Sequence, residues 1–552
     1  MGSLSPAQDD LSPIPPAGST ARGIAFLLFM LVPLGFGLLA LALGQDTNWD
    51  LRNYHWYNAY AFLNNRYGTD LLPSQTPSFY NPLLDIPFFL LGTHLCAKVA
   101  GFILGAVQGL NFVLLFMLCH ATLIIPQTKQ KVWACTALAL LGMLGGGGIA
   151  QIGTTFYDNI TSLGLFASAL LSITLFTRML SASWSKSLIL AVLCGFPAGL
   201  MMGLKLPFVV FCIGLCGAYL LVSGPLLRRL WLAFGFGLGI LAGLVLSFAP
   251  WSFYLYETYK SPLFPYFNNI FQSPYGPDSS MRDVKFLPTT LCDRLFFPYV
   301  IALNPYRSGE IPWHDLRIPF LYALLPLSAL ARLAFGRNKH APDKVTTFIA
   351  ARYLLWMAVL SYVVWLFLFA IYRYAIPLEM ISPLLIVVAM GMLPIKPQLR
   401  ALMIVFILAF VAGTIRPGDW GRQKPWLDHT VMVDVPAIQD PAHTMILMAG
   451  FEPYSHVIPA FPSEIAFVRI QSNFASPEEG KGINDLLAER LNAHHGPFKL
   501  LTPKHHFFHA EKALGHFGLT FSPQKCQAVR DYLYDSKLEL CDVARLTKVE
   551  TP

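Results

Sequence analysis

The sequence predicts an α-helical polytopic membrane protein that ends in a small α/β domain. Composition is the first observation, because 55% of the 552 residues are hydrophobic and 13% are charged, whereas soluble domains usually carry about 25% charged residues. The second observation is a series of apolar runs long enough to cross a bilayer. The third is an excess of Lys and Arg in alternate short connections between these runs.

Eleven apolar windows predict the transmembrane helices, the shorter ones with help from flanking residues. A Pro-, Ser- and Ala-rich segment, residues 1–22, precedes them, and we expect it to be disordered in the cytoplasm. The first window has the length of a span rather than of a signal peptide. The windows are Gly23–Gly44, Val99–Ile125, Val132–Ile149, Ile160–Thr177, Leu188–Leu204, Leu206–Val222, Leu230–Ala249, Ile318–Leu333, Leu354–Ile371, Pro377–Leu393 and Ala401–Ile415.

Charges between the windows predict the orientation. If the N-terminus lies in the cytoplasm, the cytoplasmic connections are rich in Lys and Arg, and Asp343 is their only acid. The odd number of windows then places residues 417–552 outside the cytoplasm, together with the outer loops 45–98 and 250–317 of the membrane domain, residues 23–416. We therefore expect a bacterial inner-membrane protein with a periplasmic tail. The net charge of +8 fits this topology, and we expect no nucleic acid as partner.

A short apolar run in the first outer loop is a separate element. Leu83–Leu95 is too short to span a bilayer, so it predicts an interfacial or re-entrant helix. Counting it as a span would also invert every later loop and remove the charge bias.

The tail, residues 417–552, has the apolar patterns of an α/β domain. Cys526 and Cys541 are its only cysteines, and an oxidising compartment favours a disulfide between them; two unpaired thiols are the alternative. Nine of the fourteen histidines lie in the tail, but no acidic or cysteine ligand shares a recognisable spacing with them. We interpret them as surface residues. Strand-like runs are "TMILMAG", "IAFVRI", "FKLLTP" and "LELCDV"; helix-like runs are "INDLLAERLNA", "AEKALGHF" and "QKCQAVRDYLY".

Ionisable residues from separate segments fall at the outer ends of the predicted spans, where charges are costly unless they face a polar cavity. Asp50 lies in "NWDLRNYHWYNAYAFLNNR", directly after the first window, and a helix cap is its alternative interpretation. For Lys205 and Arg373 the alternative is a side chain that snorkels to the interface. A shared site explains this set of residues better than separate side chains that each anchor a helix end at the membrane surface. The set also includes Asp46, Asp158, His314, Asp315, Arg317 and Glu379.

These residue types suit the transfer of a group from a lipid phosphate at the outer leaflet. An arginine is well shaped to hold the phosphate of a leaving group. A carboxylate near the rim can take a proton from an incoming hydroxyl as general base. Aromatic side chains can stack on sugar rings and line the headgroup region.

Several short motifs resemble the GT-C superfamily of integral-membrane glycosyltransferases. They are "DLRNYHWYNAYAFLNNRYGTD" and "SFYNPLLDIPFFLL" after the first window, then "GLMMGLKLP", "KSPLFPYFNN" and "YRYAIPLEMISPLL". In that superfamily an aspartate a few residues beyond the first span is the base, and a D-x-x-x-Y stretch follows in several polyprenol-phosphate-mannose-dependent families. The resemblance runs from Gly23 to Leu393 and leaves out the tail. The chain departs from it in lacking a doubled acidic motif in the first loop and in having Asn81-Pro82 where a double proline is frequent.

The resemblance implies roles for individual residues. Asp50 is the expected base, because it precedes Tyr54 by four residues, and Asp46 is the reserve. The expected ligands of the donor phosphate are Arg373, Lys205 and Arg317. Metal-dependent members use further acidic motifs that this chain lacks, so we expect no metal and no cofactor. The residues expected to position donor or acceptor are Asp158, Tyr54, His55, Tyr57, His314 and Asp315.

The expected activity is transfer of a sugar from a polyprenyl-phosphate donor to a lipid-linked or cell-envelope glycan acceptor, with inversion at the anomeric carbon. The expected partners are this donor, the acceptor and membrane lipids. One alternative is a secondary transporter, which usually shows related halves that this sequence lacks. Another is a non-catalytic membrane scaffold whose tail binds a periplasmic partner.

Overall fold

The computed structural model describes residues 19–126, 128–277, 281, 283–335, 347–477 and 482–546. Most of the described membrane domain is helical. Of the segment that we expect to be disordered, residues 1–18 lie outside the described part, and residues 19–22 form the first turn of a helix. The helices before the tail are α1 Ser19–Leu43, α2 Trp56–Leu63, α3 Ile86–His94, α4 Ala97–Gly109, α5 Asn111–Thr122, α6 Thr128–Met143, α7 Gly146–Ala150, α8 Asp158–Ser181, α9 Trp184–Leu204, α10 Val209–Leu221, α11 Leu226–Tyr259, α12 Asn268–Phe271, α13 Leu291–Leu303, α14 Arg317–Phe335, α15 Phe348–Leu368, α16 Ile376–Gly391 and α17 Pro397–Thr414.

Nine helical stretches of the described chain are long and apolar enough to cross a membrane. They match nine of the eleven predicted windows, with α4 and α5 together forming one stretch. Of the other two windows, one contains the shorter apolar stretch Leu206–Leu221, and the other overlaps the 16-residue helix α6, which begins four residues before it. At about 1.5 Å per residue, 16 residues reach about 24 Å, less than the hydrocarbon core of about 30 Å. Both nevertheless pack among the long helices, α6 against α5 and α16, and α10 against α15 and α11.

The helix ends meet in two groups, as expected for a bundle with alternating directions. One group is joined by the antiparallel backbone pairing of His314 with Arg416, and by hydrogen bonds from Thr155 to Asp46. At the opposite end, the Thr347 amide donates to the Thr122 carbonyl oxygen at 2.8 Å. The tail packs on the first group, and we call this side the tail end of the bundle.

The tail forms a mixed six-stranded sheet with the order β3-β7-β8-β6-β4-β5. A separate two-stranded ribbon, β1 Gln45–Asp46 with β2 Arg422–Gln423, ties the chain after α1 to the start of the tail. In the large sheet, β4 runs parallel to β5 and β6, and the remaining neighbours are antiparallel. The elements are β3 Val433–Asp434, β4 Met445–Met448, β5 Ala466–Arg469, α18 Ile483–Ala493, β6 Phe498–Pro503, α19 Phe507–His516, β7 Leu519–Asp531 and β8 Leu538–Arg545.

The four predicted strands and the first two predicted helices of the tail are present, but the third predicted helix is wrong. The run "QKCQAVRDYLY" lies mostly in strand β7, which pairs with β8 from Cys526 to Val529. Cross-strand pairing decides the secondary structure of such a segment, because the preference of a residue for a strand depends more on its surroundings than its preference for a helix does. The pairing places Cys526 opposite Cys541, and the two form a disulfide.

The loop after α1 lies between the bundle and the tail. Leu71 extends the sheet beyond β5, because its amide donates to the Phe467 carbonyl and its own carbonyl accepts from the Arg469 amide. Beneath it, the buried Asp70 carboxylate pairs with Arg66 at 2.6 Å. These contacts fix the position of the amphipathic helix that carries the sequence's main candidate residues.

Candidate active site

The turn that leads from α1 into the first outer helix is ordered by Asp46 and Asn48. The Asp46 carboxylate is buried and accepts hydrogen bonds from the amides of Asn48 and Thr155 and from the Thr155 hydroxyl, at 2.9 to 3.0 Å. Asn48 in turn accepts from the Leu51 amide at 2.8 Å, which caps the start of the helix. The side chain of Asp50 makes no capping hydrogen bond. Asp46 and Asn48 thus supply the local structure, and Asp50 is available for other contacts.

Asp50 forms an ion pair with Arg373, whose Nη1 atom lies 2.7 Å from its Oδ2 atom. The two side chains are 13% and 16% exposed, so the pair is largely withdrawn from water but still reachable. The Tyr54 hydroxyl also donates to Asp50, at 3.1 Å. Burial alone would raise the pKa of Asp50, but the neighbouring positive charges, chiefly Arg373, hold it below its ordinary value.

A second ion pair lies beside the first. The Lys205 ammonium contacts the Asp158 carboxylate at 2.5 Å and donates to the Phe156 carbonyl oxygen at 2.7 Å. The Arg373 guanidinium lies 4.5 Å from the centre of the Phe156 ring, so Phe156 touches both cations. The structure thereby brings together four predicted site residues from the first outer loop, α8, the end of α9 and the turn before α16.

Aromatic side chains and a buried histidine border these pairs. The Tyr54 and Tyr80 rings pack edge to face with centres 5.4 Å apart, and the Tyr80 hydroxyl lies 3.0 Å from that of Tyr266. Next to Tyr54, His55 Nδ1 lies 2.6 Å from a carboxylate oxygen of Asp85. Within the described residues, His55 Nε2 is buried without a hydrogen-bond partner. Because this nitrogen is buried, a bound molecule reaches it only after the neighbouring Tyr54 and Tyr157 rings move.

A crevice opens beside the second ion pair, between α8, α10 and α16. Asp158 and Lys205 form its polar end. Pro207, Phe208 and Phe211 line the apolar remainder, and both phenylalanines are buried. The volume of the crevice, about 10 Å³, has room for about one water molecule. The crevice thus joins a charged group to an apolar surface at the end of the bundle.

Three predicted site residues belong to a different cluster. Arg317 is fully buried, pairs with Asp315 at 2.6 Å and lies 3.2 Å from Glu379. The run of glycines at 145–148 makes this possible: the amides of Gly147 and Gly148 donate to Glu379, and a Cβ atom at Gly145 would lie 1.6 Å from Arg317. His314 directly precedes Asp315 and pairs through its backbone with Arg416. This cluster ties the start of α14 to α16.

Tyr57 also lies away from the ion pairs. Its ring packs against the tail, in a cluster that includes Ile446 and Tyr454. Its hydroxyl donates to Asp70 at 2.6 Å. The sequence reasoning missed two acids, although both lie within the quoted stretches: Asp85, which holds His55 at the site, and Asp70, which ties the first outer loop to the tail.

Comparisons of the chain with models of protein families, with curated protein sequences and with solved structures find no match. The chemistry of this site must therefore be inferred from its own geometry.

Proposed function

We propose that the protein is a membrane glycosyltransferase that uses a polyprenyl-phosphate sugar as donor and a lipid-linked or cell-envelope glycan as acceptor. It crosses a bacterial inner membrane eleven times, with the N-terminus in the cytoplasm and the tail in the periplasm. The tail end of the bundle is then the periplasmic face. The observation that carries the proposal is the Asp50–Arg373 pair beside the Asp158–Lys205 pair.

The cations of the two pairs suit the donor phosphate. Arg373 and Lys205 are held by carboxylates and face Phe156 from two sides, so an anion placed there would meet both. Arginine can bind phosphate through two parallel hydrogen bonds, and lysine contributes a point charge. A phosphate that takes Arg373 away from Asp50 removes the charge that holds the pKa of Asp50 down. Donor binding would therefore make Asp50 a stronger base.

We place the lipid part of the donor beside Lys205. A polyprenyl phosphate needs an apolar path directly next to its charged group. Phe208 and Phe211 lie within about two helical turns of Lys205 but are buried, so the lipid would have to displace them to lie along α10.

The transfer is then a single displacement. The acceptor hydroxyl oxygen attacks the anomeric carbon, and its proton passes to the Asp50 carboxylate. The bond between the anomeric carbon and the phosphate oxygen breaks, and polyprenyl phosphate leaves with the electron pair of that bond. Arg373 and Lys205 stabilise the negative charge of the leaving phosphate. Attack opposite to the leaving group inverts the anomeric carbon. Tyr54 and Tyr80 stack against the sugars, and His55 Nε2 orients one of their hydroxyls.

The test uses purified full-length protein in detergent with a panel of polyprenyl-phosphate hexoses and pentoses and a bacterial envelope glycan extract. Mass spectrometry follows the release of polyprenyl phosphate and the gain of a sugar by the acceptor. We expect transfer from one donor by the native protein and none by the Asp46→Asn/Asp50→Asn double variant. No transfer from any lipid-phosphate donor, or full activity of the double variant, would refute the proposal.

A further inference from the structure

Three side chains of the tail converge at the edge of the large sheet, far along the chain from the Asp50 site. His505 Nε2 lies 2.7 Å from a carboxylate oxygen of Glu452, and His506 Nε2 lies 3.8 Å from the same oxygen. The ligand atoms of the three residues all lie within 4.8 Å of one another. Such a spacing admits one ion bonded to each of them at about 2.0 to 2.2 Å after small rotamer changes.

The fold itself brings the three together. Glu452 follows β4, and His505 and His506 follow β6 directly. These strands are parallel neighbours, so their carboxyl ends meet at one edge of the sheet. Spacing along the chain conceals this, because 53 residues separate Glu452 from His505.

The loop that carries Glu452 is shaped to approach the histidines. Gly450 has a φ of +109°, and a Cβ atom there would lie 2.6 Å from His506 Nδ1, so the close approach needs glycine. The buried Arg469 side chain holds this loop through the carbonyl oxygens of Gly450 and Glu452. In the described part of the chain, His506 Nδ1 is buried and lacks a hydrogen-bond partner. The ring is thus fixed by packing, with Nε2 facing Glu452.

We propose that Glu452, His505 and His506 form a binding site for a divalent transition-metal ion, and that the physiological ion is zinc. Two imidazoles and one carboxylate are a ligand set that zinc accepts, and they leave one tetrahedral position for water. Imidazole ligands disfavour magnesium and calcium, which prefer oxygen. This proposal departs from the expectations that the tail histidines are only surface residues and that the protein binds no metal. It does not depend on the proposed sugar transfer.

The electrostatics of the cluster fit this assignment. A histidine binds metal only in its neutral form. His505 Nε2 and His506 Nε2 both face the Glu452 carboxylate. The Glu452 carboxylate supplies negative charge, and His505 is exposed enough for an ion to enter from solvent.

The test is isothermal titration of untagged, chelator-treated full-length protein in detergent with zinc chloride. We expect one zinc ion per chain. We expect affinity to fall by more than about tenfold in Glu452→Gln and in the His505→Ala/His506→Ala double variant, since loss of even an outer-shell partner costs about that much. Zinc should also raise the melting temperature of the native protein and leave that of the double variant unchanged, because binding stabilises only the folded form.

The matched control is the His494→Ala/His495→Ala variant, which removes the other adjacent histidine pair of the tail. It should bind zinc like the native protein. Absence of stoichiometric zinc from the native protein would overturn the proposal. Equal zinc affinity in the double variant of residues 505 and 506, or loss of binding in the control alone, would overturn it as well.

Discussion

The Asp50 carboxylate and the Arg373 guanidinium lie 2.7 Å apart although 323 residues separate them in the sequence. Asp50 is not needed to start its own helix, since Asn48 caps that helix and Asp50 makes no capping bond. Burying the pair costs desolvation energy, which the positive charges around Asp50 more than offset, since its pKa lies below its ordinary value. A largely buried ion pair that joins two distant segments at a reachable position is typical of a functional site.

Replacing Asp50 by Asn should remove activity without unfolding the protein. If Asp50 is the base, sugar transfer by Asp50→Asn should fall by about one hundred- to ten-thousandfold, because Asn cannot take the acceptor proton. Its amide oxygen can still accept from Tyr54 and Arg373, and both side chains keep some contact with water, so the melting temperature should fall less than in Asp70→Asn, where the ion pair is almost fully buried. Transfer is measured with the donor identified in the panel assay, and near-native turnover of this variant would contradict the role of Asp50.

Replacing Asp46 by Asn should act mainly on stability. The Asp46 carboxylate accepts from two backbone amides, from the Thr155 hydroxyl and from the Asn48 side chain. An amide in its place leaves a buried donor or acceptor unsatisfied, which costs about 1 to 3 kcal/mol. We expect a lower melting temperature than for Asp50→Asn and, per folded molecule, less than a tenfold loss of turnover. A large loss of turnover with native stability would make Asp46 the base instead.

Removing the charge of Arg373 should shift the pH dependence of the reaction. In the native protein Arg373 lowers the pKa of Asp50, with smaller contributions from His55 and Lys205. A base works in its deprotonated form, so activity is lost as the pH falls through this pKa. Without the guanidinium the pKa rises, and the acid limb of the kcat/KM profile of Arg373→Gln should move to higher pH. Profiles normalised to their maxima measure this shift, and coincident acid limbs would show that Asp50 is not the titrating base.

The helices were predictable because length and hydropathy are local properties of the chain. The nine long apolar stretches lie where the windows predict them; their ends lie within six residues of the predicted ones, except that α11 continues ten residues further, to Tyr259. The convergence of Asp50, Asp158, Lys205 and Arg373 was also predictable in outline, because alternating spans place every second connection on one face.

Contacts between distant segments were not predictable in the same way. Arg317 has the residue type and the position of a phosphate ligand, but the glycines at 145–148 leave room for it to bury against Glu379 instead. The helix predicted over much of β7 is wrong because pairing with β8 makes this segment a strand, and the local sequence does not show that pairing. Glu452 and His505 meet only through two parallel strands. Each case depends on a tertiary partner, which no local pattern specifies.

Labelling of single cysteines should establish the orientation. Cys292 is exposed in the loop 250–317, and Ser183 is exposed in the connection between α8 and α9, at the opposite end of the bundle. A variant with Cys292 as its only free thiol should react with a membrane-impermeant maleimide in intact spheroplasts. A Ser183→Cys variant that lacks the other free cysteines should react only after permeabilisation. The reverse pattern would invert the topology and exclude a periplasmic site.

The disulfide between Cys526 and Cys541 should protect two of the nine thiols. Denatured but unreduced protein should take up seven maleimide groups, and reduced protein nine. The bridge spans 15 residues, for which the entropy of loop closure is worth about 3 kcal/mol. The Cys526→Ser/Cys541→Ser variant should therefore melt at a lower temperature, and Cys292→Ser, which removes an exposed free thiol, should not. Nine labelled thiols without reductant would contradict the bridge.

Replacing Asp70 should loosen the tail from the membrane domain. The Asp70 carboxylate accepts from Tyr57, from Arg66 and from the Phe467 amide of β5, so it joins the first outer loop to the sheet. Asp70→Asn leaves the buried guanidinium of Arg66 without its charged partner, which typically costs about 3 to 5 kcal/mol. Limited proteolysis should then release the tail faster than in the native protein. Because the loop that carries Asp50 lies between the tail and the bundle, transfer activity should fall in parallel.

The matched control for Asp70 is Asp440→Asn, a carboxylate of the tail that is 52% exposed and pairs with an exposed histidine. An exposed pair of this kind contributes about 0 to 1 kcal/mol, so this variant should keep native protease resistance and activity. If Asp70→Asn lost activity while its tail stayed as resistant as that of the control, Asp70 would act on the site directly. If it lost neither, the packing of Tyr57 and Leu71 against the sheet would hold the tail without the ion pair.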